Sequence, residues 1–250
     1  MLAYEVVGPA SAPVLVLGSS LGTTRAMWAP QMAALRAGFR IVAFDHRGHG
    51  GSPVPPGPYS IEDLGRDVLA LLDHLGLERV HYAGLSLGGM VGMWLAAHAP
   101  ARIDRLALLC TAAHLPPASG WHQRAATVRA EGMGVLADAS LARWFTPAFP
   151  PDEAAAFAKT LVALDPGGYA SCCEAIAGMD LRPVLDRITA PTLVVAGDAD
   201  PATPPAQAQA IVDGIGPGAT LVVLPDAAHL ASVERAEQVT DLLRRHLTPG

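Results

Sequence analysis

The chain has 250 residues, of which 17 are basic and 23 are acidic, so its formal net charge at pH 7 is −6. This balance argues against nucleic acid or an anionic membrane surface as the main partner, because neither attracts an acidic protein. Hydrophobic residues make up 51% of the chain and charged residues 16%. Such a composition excludes a disordered chain and fits one globular domain with a large core.

Six apolar runs recur along the chain and predict strands that are buried on both faces of a parallel sheet. They are Pro13–Gly18, Phe39–Asp45, Val80–Gly84, Leu106–Cys110, Thr192–Gly197 and Ala219–Leu224. Helical periodicity between them predicts helices at Ile61–Leu75, Leu87–Ala99, Pro205–Ile215 and Val233–Leu247. This alternation predicts an α/β fold with a mostly parallel central sheet flanked by helices.

The alternation of strands and helices stops between Ala112 and Leu181, where no strong strand pattern is present. Helical stretches occur there instead, separated by proline and glycine, at Trp121–Glu131, Gly134–Trp144, Glu153–Leu164 and Tyr169–Ala177. A helical segment between two sheet strands is typical of a lid. We therefore expect a core formed by residues 1–111 and 182–250, with residues 112–181 inserted as the lid.

The uncharged stretch from Val80 to Ala101 is long enough to span a bilayer. It contains His81, Ser86, His98 and several glycines, and it ends at a proline. A buried strand followed by a buried helix explains this pattern better than a membrane span, so no membrane partner is expected.

The three cysteines are Cys110, Cys172 and Cys173. An odd number that includes an adjacent pair does not suit a disulfide framework, so a reducing compartment is favoured. The N-terminal residues MLAYEVVGPA lack the basic and apolar regions of a signal peptide, and we expect a cytoplasmic protein. Cys172 and Cys173 could form a redox pair, but adjacent cysteines close a disulfide only with strain, which favours small packing residues.

The segment Gly84-Leu85-Ser86-Leu87-Gly88 lies between a predicted strand and a predicted helix. This Gly-x-Ser-x-Gly pattern in this context is typical of a nucleophile elbow, in which a tight turn exposes the serine. The alternative is a glycine-rich turn with a bystander serine. The strand and helix on either side favour Ser86 as a nucleophile.

A nucleophilic serine needs a base, and the base needs an acid that orients it. In the chain order that follows such an elbow, the acid comes after a late strand and the base after the next strand. Asp200 follows the predicted strand Thr192–Gly197, and His229 follows Ala219–Leu224. Asp198 is an alternative acid, although its place at the strand end also suits a turn or capping role.

A reaction at an ester carbonyl also needs two N–H donors that point at the developing oxyanion. Leu87, which follows the nucleophile, is one candidate, and Leu21, in the loop after the first predicted strand, is the other. The segment Asp45–Gly50 contains two histidines but no additional cysteine or carboxylate to complete a metal site. We interpret that segment as a structural or pocket-lining loop and expect neither a metal nor a cofactor.

The order of Ser86, Asp200 and His229, the elbow, the Asp45–Gly50 loop and the predicted lid resemble the α/β-hydrolase superfamily over nearly the whole chain. Within it, the chain resembles the 3-oxoadipate enol-lactonases of bacterial aromatic-acid catabolism. The narrower resemblance rests on the segments Ser20–Thr23, Gly120–Arg124, Val128–Met133 and Tyr169–Ile176. Ser19 departs from the asparagine expected in these lactonases.

This resemblance implies a serine hydrolase that opens 3-oxoadipate enol-lactone to 3-oxoadipate. The alternatives are a general carboxylesterase or C–C bond hydrolase of the same fold and, more remotely, a receptor-like binding protein with little turnover. Candidate residues for binding the lactone or ester are Ser20, Trp121, Arg124 and Trp144.

Two features of these candidates stay open. Trp121 and Trp144 could line the pocket or anchor the lid. Arg124 and Arg129 could each bind the free carboxylate of the substrate with two hydrogen bonds. A solvated helix face is the alternative, and it is slightly favoured for Arg129. The sequence also leaves open whether the chain forms a homo-oligomer.

Overall fold

Seven strands form one central sheet in the computed structural model, which describes residues 1–248. The strands are β1 (Tyr4–Val7), β2 (Val14–Gly18), β3 (Arg40–Phe44), β4 (Val80–Leu85), β5 (Ile103–Leu109), β6 (Thr192–Gly197) and β7 (Ala219–Leu224). Their spatial order is β1-β3-β2-β4-β5-β6-β7, and all neighbours are parallel except β1 and β3. The predicted α/β class with a mostly parallel sheet is confirmed.

All six predicted strands are present, and β1 is the strand that sequence analysis missed. β1 is short, largely solvent-accessible and includes Glu5, so its pattern is weak. Pairing with β3 stabilises it, with Tyr4 opposite Phe44 and Val7 opposite Ile41. β5 begins at Ile103, three residues before the predicted start, because Arg105 and Asp104 interrupt its apolar run.

Within residues 1–248, ten α-helices surround the sheet or form the segment between β5 and β6. They are α1 (Ala29–Leu35), α2 (Ile61–His74), α3 (Leu87–His98), α4 (Ala118–Glu131), α5 (Ala137–Trp144), α6 (Pro151–Val162), α7 (Pro166–Ala177), α8 (Pro205–Ile215), α9 (Ala231–Glu234) and α10 (Ala236–Leu247). Sequence analysis missed α1, and the single helix that it predicted over Val233–Leu247 is wrong at its start. Arg235, at φ −122° and ψ 47°, separates α9 from α10. None of the helices in residues 1–248 combines the length and the apolar character that a membrane crossing requires.

Helices α4 to α7 occupy the interval for which the sequence predicts a lid. α4 and α7 pack against each other, and an ion pair between Arg129 and Glu174 joins them. α7 also packs on the core, where the backbone of Gly168 contacts that of Gly48 so closely that neither position has room for a side chain. The helical segment is thus anchored to the loop that follows β3.

The core lies on both faces of the sheet and requires α3 to approach β2 and β4 closely. The apolar residues of β4 and most of α3 are buried, which is why the stretch from Val80 to His98 carries no formal charge. A methyl group at Gly88 would overlap the backbone of Gly18, and one at Gly84 would overlap Gly88. Glycine at these positions allows the helix to begin directly on the strand ends.

We predict opposite effects of an added methyl group at two helical glycines. Gly88→Ala should lower the free energy of unfolding by about 1 to 3 kcal/mol, because the methyl group overlaps Gly18. Gly120→Ala in α4 meets open space and should be neutral or stabilising by up to about 1 kcal/mol through helix propensity. Denaturant unfolding of both variants tests this, and a Gly88→Ala midpoint equal to that of the wild type would contradict it.

Candidate active site

The carboxyl ends of the parallel strands meet at one edge of the sheet, where α/β folds place their ligand sites. The loops after β2, β4, β6 and β7 converge there beneath α4, α5 and α7. They line a cleft that is partly open to solvent. Its lining residues are Ser20, Leu21, Ser86, Met90, Leu115, Trp121, Arg124, Ser140, Arg143, Trp144, Tyr169, Ile176, Ala202, Thr203 and His229.

Ser86 lies at the tip of the turn between β4 and α3, with φ of 54° and ψ of −112°. L-residues seldom adopt this region, and such strain is found mainly at functional sites. The surrounding structure holds the turn in place, since Ser86 N–H donates to Leu109 O at 2.9 Å and Thr111 Oγ1 donates to Ser86 O at 2.7 Å. The side chain is 7% exposed and lines the cleft.

Asp200 and His229 are in direct contact, with 2.8 Å between Asp200 Oδ2 and His229 Nδ1. Asp200 Oδ1 accepts hydrogen bonds from the N–H groups of Ala202 and Thr203, and Oδ2 accepts one from Thr203 Oγ1. Burial raises the pKa of the Asp200 carboxyl, but the bonds from His229 and Thr203 outweigh burial and place the pKa below its usual range. Asp200 is therefore an ionised partner for the imidazole, whose Nε2 side is left to the cleft.

Asp198 occupies a different position from Asp200. Its side chain is exposed, and Oδ1 accepts a long 3.4 Å hydrogen bond from Ala227 N–H in the loop before His229. Of the two aspartates considered from the sequence, Asp200 is the one that contacts the imidazole, whereas Asp198 stabilises the turn.

The N–H groups of Leu21 and Leu87 are both without a hydrogen-bond acceptor in the described part of the chain. Leu87 is the first residue of α3, where the helix dipole favours negative charge. Leu21 lies in the loop after β2 and lines the same cleft as Ser86. An oxyanion site requires two such donors, and these two lie in the loops next to Ser86.

The helices between β5 and β6 place two arginines at the cleft, Arg124 on α4 and Arg143 on α5. Arg124 stacks on the ring of Trp121, with 4.9 Å from its guanidinium carbon to the ring centroid. No ion pair found within residues 1–248 includes either arginine. Burial, followed by the charge of Arg124, lowers the pKa of Arg143. The cleft thus holds two guanidinium groups that lack a carboxylate partner.

The structure shows which of the other candidate residues line the cleft and which lie outside it. Trp121 and Trp144 both line the cleft, and Trp144 also packs on Gly22 in the loop after β2. Arg129 lies outside the cleft and forms an ion pair with Glu174. Cys172 and Cys173 are buried, free thiols on α7, and burial raises the pKa of Cys173 to about 12.

Sequence analysis missed two residues that the geometry brings into the site. Thr203 was not singled out, although a threonine three residues after the acid is a pattern that could bond back to it. Arg143 is also absent from the residues predicted to bind the substrate, although it directly precedes Trp144, which is one of them. Neither residue has a sequence motif of its own, because each acquires its partners only through folding.

The chain matches a known protein family and several of its relatives. The family described as alpha/beta hydrolase fold matches residues 13–236. The chain is 42% identical to 3-oxoadipate enol-lactonase 2 of Acinetobacter baylyi over 239 residues, which cover 94% of this chain and 89% of that protein. It is also similar to the crystal structure of the enol-lactonase from Burkholderia xenovorans LB400, with a TM-score of 0.96, 45% identity and coverage of 99% and 96%. A thermophilic esterase from Thermogutta terrifontis has a TM-score of 0.92 and 31% identity, with coverage of 98% and 92%.

We predict that Thr203→Val weakens the support of the Asp200 carboxylate. Loss of the Thr203 Oγ1 bond should lower the free energy of unfolding by about 1 kcal/mol at neutral pH. An Asp whose pKa is depressed in the folded state stabilises the protein above its unfolded pKa, and this contribution is lost as the pH falls through the folded pKa. Because the variant loses one cause of the depression, its acid unfolding should begin at a higher pH.

Denaturant unfolding at neutral pH and acid titration followed by circular dichroism measure both effects. Thr160→Val is a matched control, because its hydroxyl bonds only to Ala156 O on exposed α6. Identical acid unfolding of the Thr203→Val and Thr160→Val variants would contradict the role of Thr203.

Proposed function

The chain belongs to the alpha/beta hydrolase fold family, and on that basis we propose that Ser86, His229 and Asp200 are its catalytic triad. It is a carboxylic-ester hydrolase of the enol-lactonase type, and its reaction is the opening of 3-oxoadipate enol-lactone to 3-oxoadipate. The observation that carries this substrate is the 42% identity to 3-oxoadipate enol-lactonase 2 over nearly the whole chain. The lid segment, which varies most among such enzymes, is included in that match.

The first half of the proposed reaction opens the lactone ring. Ser86 Oγ attacks the ring carbonyl carbon while its proton passes to Nε2 of His229. The N–H groups of Leu21 and Leu87 stabilise the oxyanion, and Asp200 stabilises the imidazolium through its bond to Nδ1. When the intermediate collapses, the bond to the ring oxygen breaks, and this oxygen leaves as an enolate that takes the proton from His229. The resulting enol tautomerises to the ketone.

The second half of the proposed reaction releases the product. A water molecule gives a proton to His229 and attacks the ester formed on Ser86. Collapse of the second tetrahedral intermediate returns the proton to Ser86 Oγ and frees a carboxylic acid, which loses its remaining proton to water. These steps use side chains and peptide groups of this chain and require no cofactor.

We further propose that Arg124 and Arg143 bind the free carboxylate of the lactone. The protein has a net charge of −6, so its overall field repels an anionic substrate and a local cation must offset this repulsion. Both arginines line the cleft, and a guanidinium binds a carboxylate with two parallel hydrogen bonds. Ser20, Trp121 and Trp144 complete the proposed binding surface.

A general carboxylesterase is the second candidate, favoured by the 31% identity to the thermophilic esterase. Neutral aryl esters and the carboxylated lactone distinguish the two candidates when both are assayed with the same preparation. A much higher kcat/KM for neutral esters would favour the esterase. We also propose that residues 112–181 act as a lid and that the protein is cytoplasmic.

We predict that Asp200 and Asp198 differ sharply in their effect on turnover. Asp200→Asn should lower kcat by about 10⁴-fold, because an amide no longer fixes the imidazole tautomer. Ser86→Ala and His229→Ala should lower kcat by several orders of magnitude. Asp198→Asn, which alters a residue that contacts only the turn, should change stability rather than kcat. Steady-state kinetics of folded variants checks this, and a larger kcat loss in Asp198→Asn would transfer the acid role to Asp198.

We predict that the cleft arginines act on substrate charge. Arg124→Ala and Arg143→Ala should each raise KM for the carboxylated lactone by about tenfold, worth about 1.4 kcal/mol, while kinetics with a neutral aryl ester change little. Arg129→Ala removes a lid arginine outside the cleft and serves as the control, with KM unchanged. An equal loss with both substrates would mean that Arg124 and Arg143 support the lid rather than bind the carboxylate.

A further inference from the structure

The loop after β3 contains two buried histidines that the proposed reaction does not use, His46 and His49. They are 2% and 1% exposed, and both lie behind the wall of the cleft rather than among its lining residues. Their ring centroids are 6.5 Å apart. No group of three or more potential metal-ligating side chains gathers anywhere in residues 1–248. The hydrogen bonds of the two imidazoles indicate what they do at this position.

Each imidazole makes one hydrogen bond to the backbone of the loop after β2. His46 Nε2 lies 3.0 Å from Ser19 O, and Gly22 N lies 3.0 Å from His49 Nε2. These two contacts are on either side of Ser20 and Leu21, the residues that face the nucleophile. The loop is thus held at both ends of the segment that carries the free N–H group of Leu21.

The partners determine which nitrogen of each ring carries the proton. Ser19 O can only accept, so His46 must donate from Nε2–H, whereas Gly22 N–H can only donate, so Nε2 of His49 must carry the lone pair. The proton of His49 is then on Nδ1, which lies 3.3 Å from Arg47 O. Burial lowers the pKa of His46 to about 3 and that of His49 to about 4, so both rings are neutral at neutral pH.

The same backbone segment is joined to the nucleophile elbow. Ser19 O, which accepts from His46, also accepts a 3.0 Å hydrogen bond from Gly88 N–H. Gly88 follows Leu87, the carrier of the second free N–H group. The position of one oxyanion donor relative to the other therefore depends on bonds that meet at Ser19 and Gly22.

The loop that carries the two histidines is itself held by an ion pair and several hydrogen bonds. Asp45 forms an ion pair with Arg25 and accepts hydrogen bonds from the N–H groups of Arg25 and Gly51. Ser52 Oγ donates to Asp45 O at 2.6 Å, and His49 N–H donates to His46 O at 3.0 Å. These bonds fix the loop that carries His46 and His49 relative to the end of β3.

We propose that His46 and His49 form a histidine clamp that positions the N–H group of Leu21 for oxyanion stabilisation. They are positioning residues, because they act through the backbone of residues 19–22 and do not touch the reacting atoms. The clamp rests on the proposed role of Ser86 but not on which ester or lactone is the substrate. Its effect belongs to kcat, since the oxyanion forms only after substrate has bound.

The test compares two polar variants of His49 that differ in reach. The amide oxygen of His49→Gln extends about as far as Nε2 and can accept from Gly22 N–H, whereas that of His49→Asn is too short. We expect His49→Asn to lower kcat by about tenfold or more with KM nearly unchanged, since loss of an oxyanion donor costs about 10²–10³ in kcat and misplacement costs part of this. His49→Gln should restore most of kcat. A neutral aryl ester is the substrate, which keeps the test independent of the lactone assignment.

Two further measurements separate positioning from simple destabilisation. Phenylboronic acid, which forms a tetrahedral adduct with a nucleophilic serine, should bind His49→Asn more weakly by the same factor as the loss of kcat. His81→Gln, a buried histidine at the opposite end of β4, should lower the melting temperature without changing kcat.

Three outcomes would overturn the clamp. One is a wild-type kcat in folded His49→Asn, and another is equal losses of kcat in the Asn and Gln variants. The third is a rise of KM with unchanged kcat and boronate affinity. If Ser86→Ala retains activity, the proposed mechanism itself is wrong, whereas a clamp failure with inactive Ser86→Ala overturns only the clamp.

Discussion

The hydrogen bond from Gly88 N–H to Ser19 O, 3.0 Å long, joins the loop after β2 to the first turn of α3, and the geometry of the site depends on it. The bond can form only because Gly18, Gly84 and Gly88 leave no methyl group between helix and strand. It joins the loop that carries the N–H group of Leu21 to the start of α3, which carries the N–H group of Leu87. Ser86 has a strained backbone conformation at this close approach of helix and strand. The buried core around β4 and α3 stabilises that conformation.

The helical segment between β5 and β6 is hydrogen-bonded to the loop that carries His229. His229 N–H donates to Arg143 O at 3.4 Å, and Leu230 N–H donates to Trp144 O at 2.9 Å. Glu234 joins the same regions, because its carboxylate accepts from Thr146 N–H and from Ala228 N–H. The end of α5 therefore positions the loop that carries His229 while presenting the side chains of Arg143 and Trp144 to the cleft. A change at the end of α5 would alter the position of His229 as well as the lining of the cleft.

The site contains two kinds of charged group. One is an aspartate with several hydrogen-bond partners, and the other is a pair of arginines that form no ion pair among the described residues. Asp200 is buried and satisfied by His229, Thr203 and Ala202, which makes it a stable anion whose role is confined to the imidazole. Arg124 and Arg143 line the same cleft, and neither forms an ion pair with a carboxylate among the described residues. Uncompensated, partly desolvated cations are costly unless a ligand pairs with them. This contrast favours an anionic substrate over a neutral one in a protein whose net charge is negative.

The sequence by itself determined the α/β class, six of the seven strands and the proposed nucleophile, because apolar runs and the Gly-x-Ser-x-Gly turn are local patterns. It also narrowed the acid to Asp198 or Asp200, since both follow the same strand. Only the tertiary structure decided that Asp200 contacts His229, that Arg143 and Thr203 belong to the site, and that Arg129 pairs with Glu174. These facts depend on contacts between residues distant in the chain, and a linear pattern does not encode the distances that folding creates.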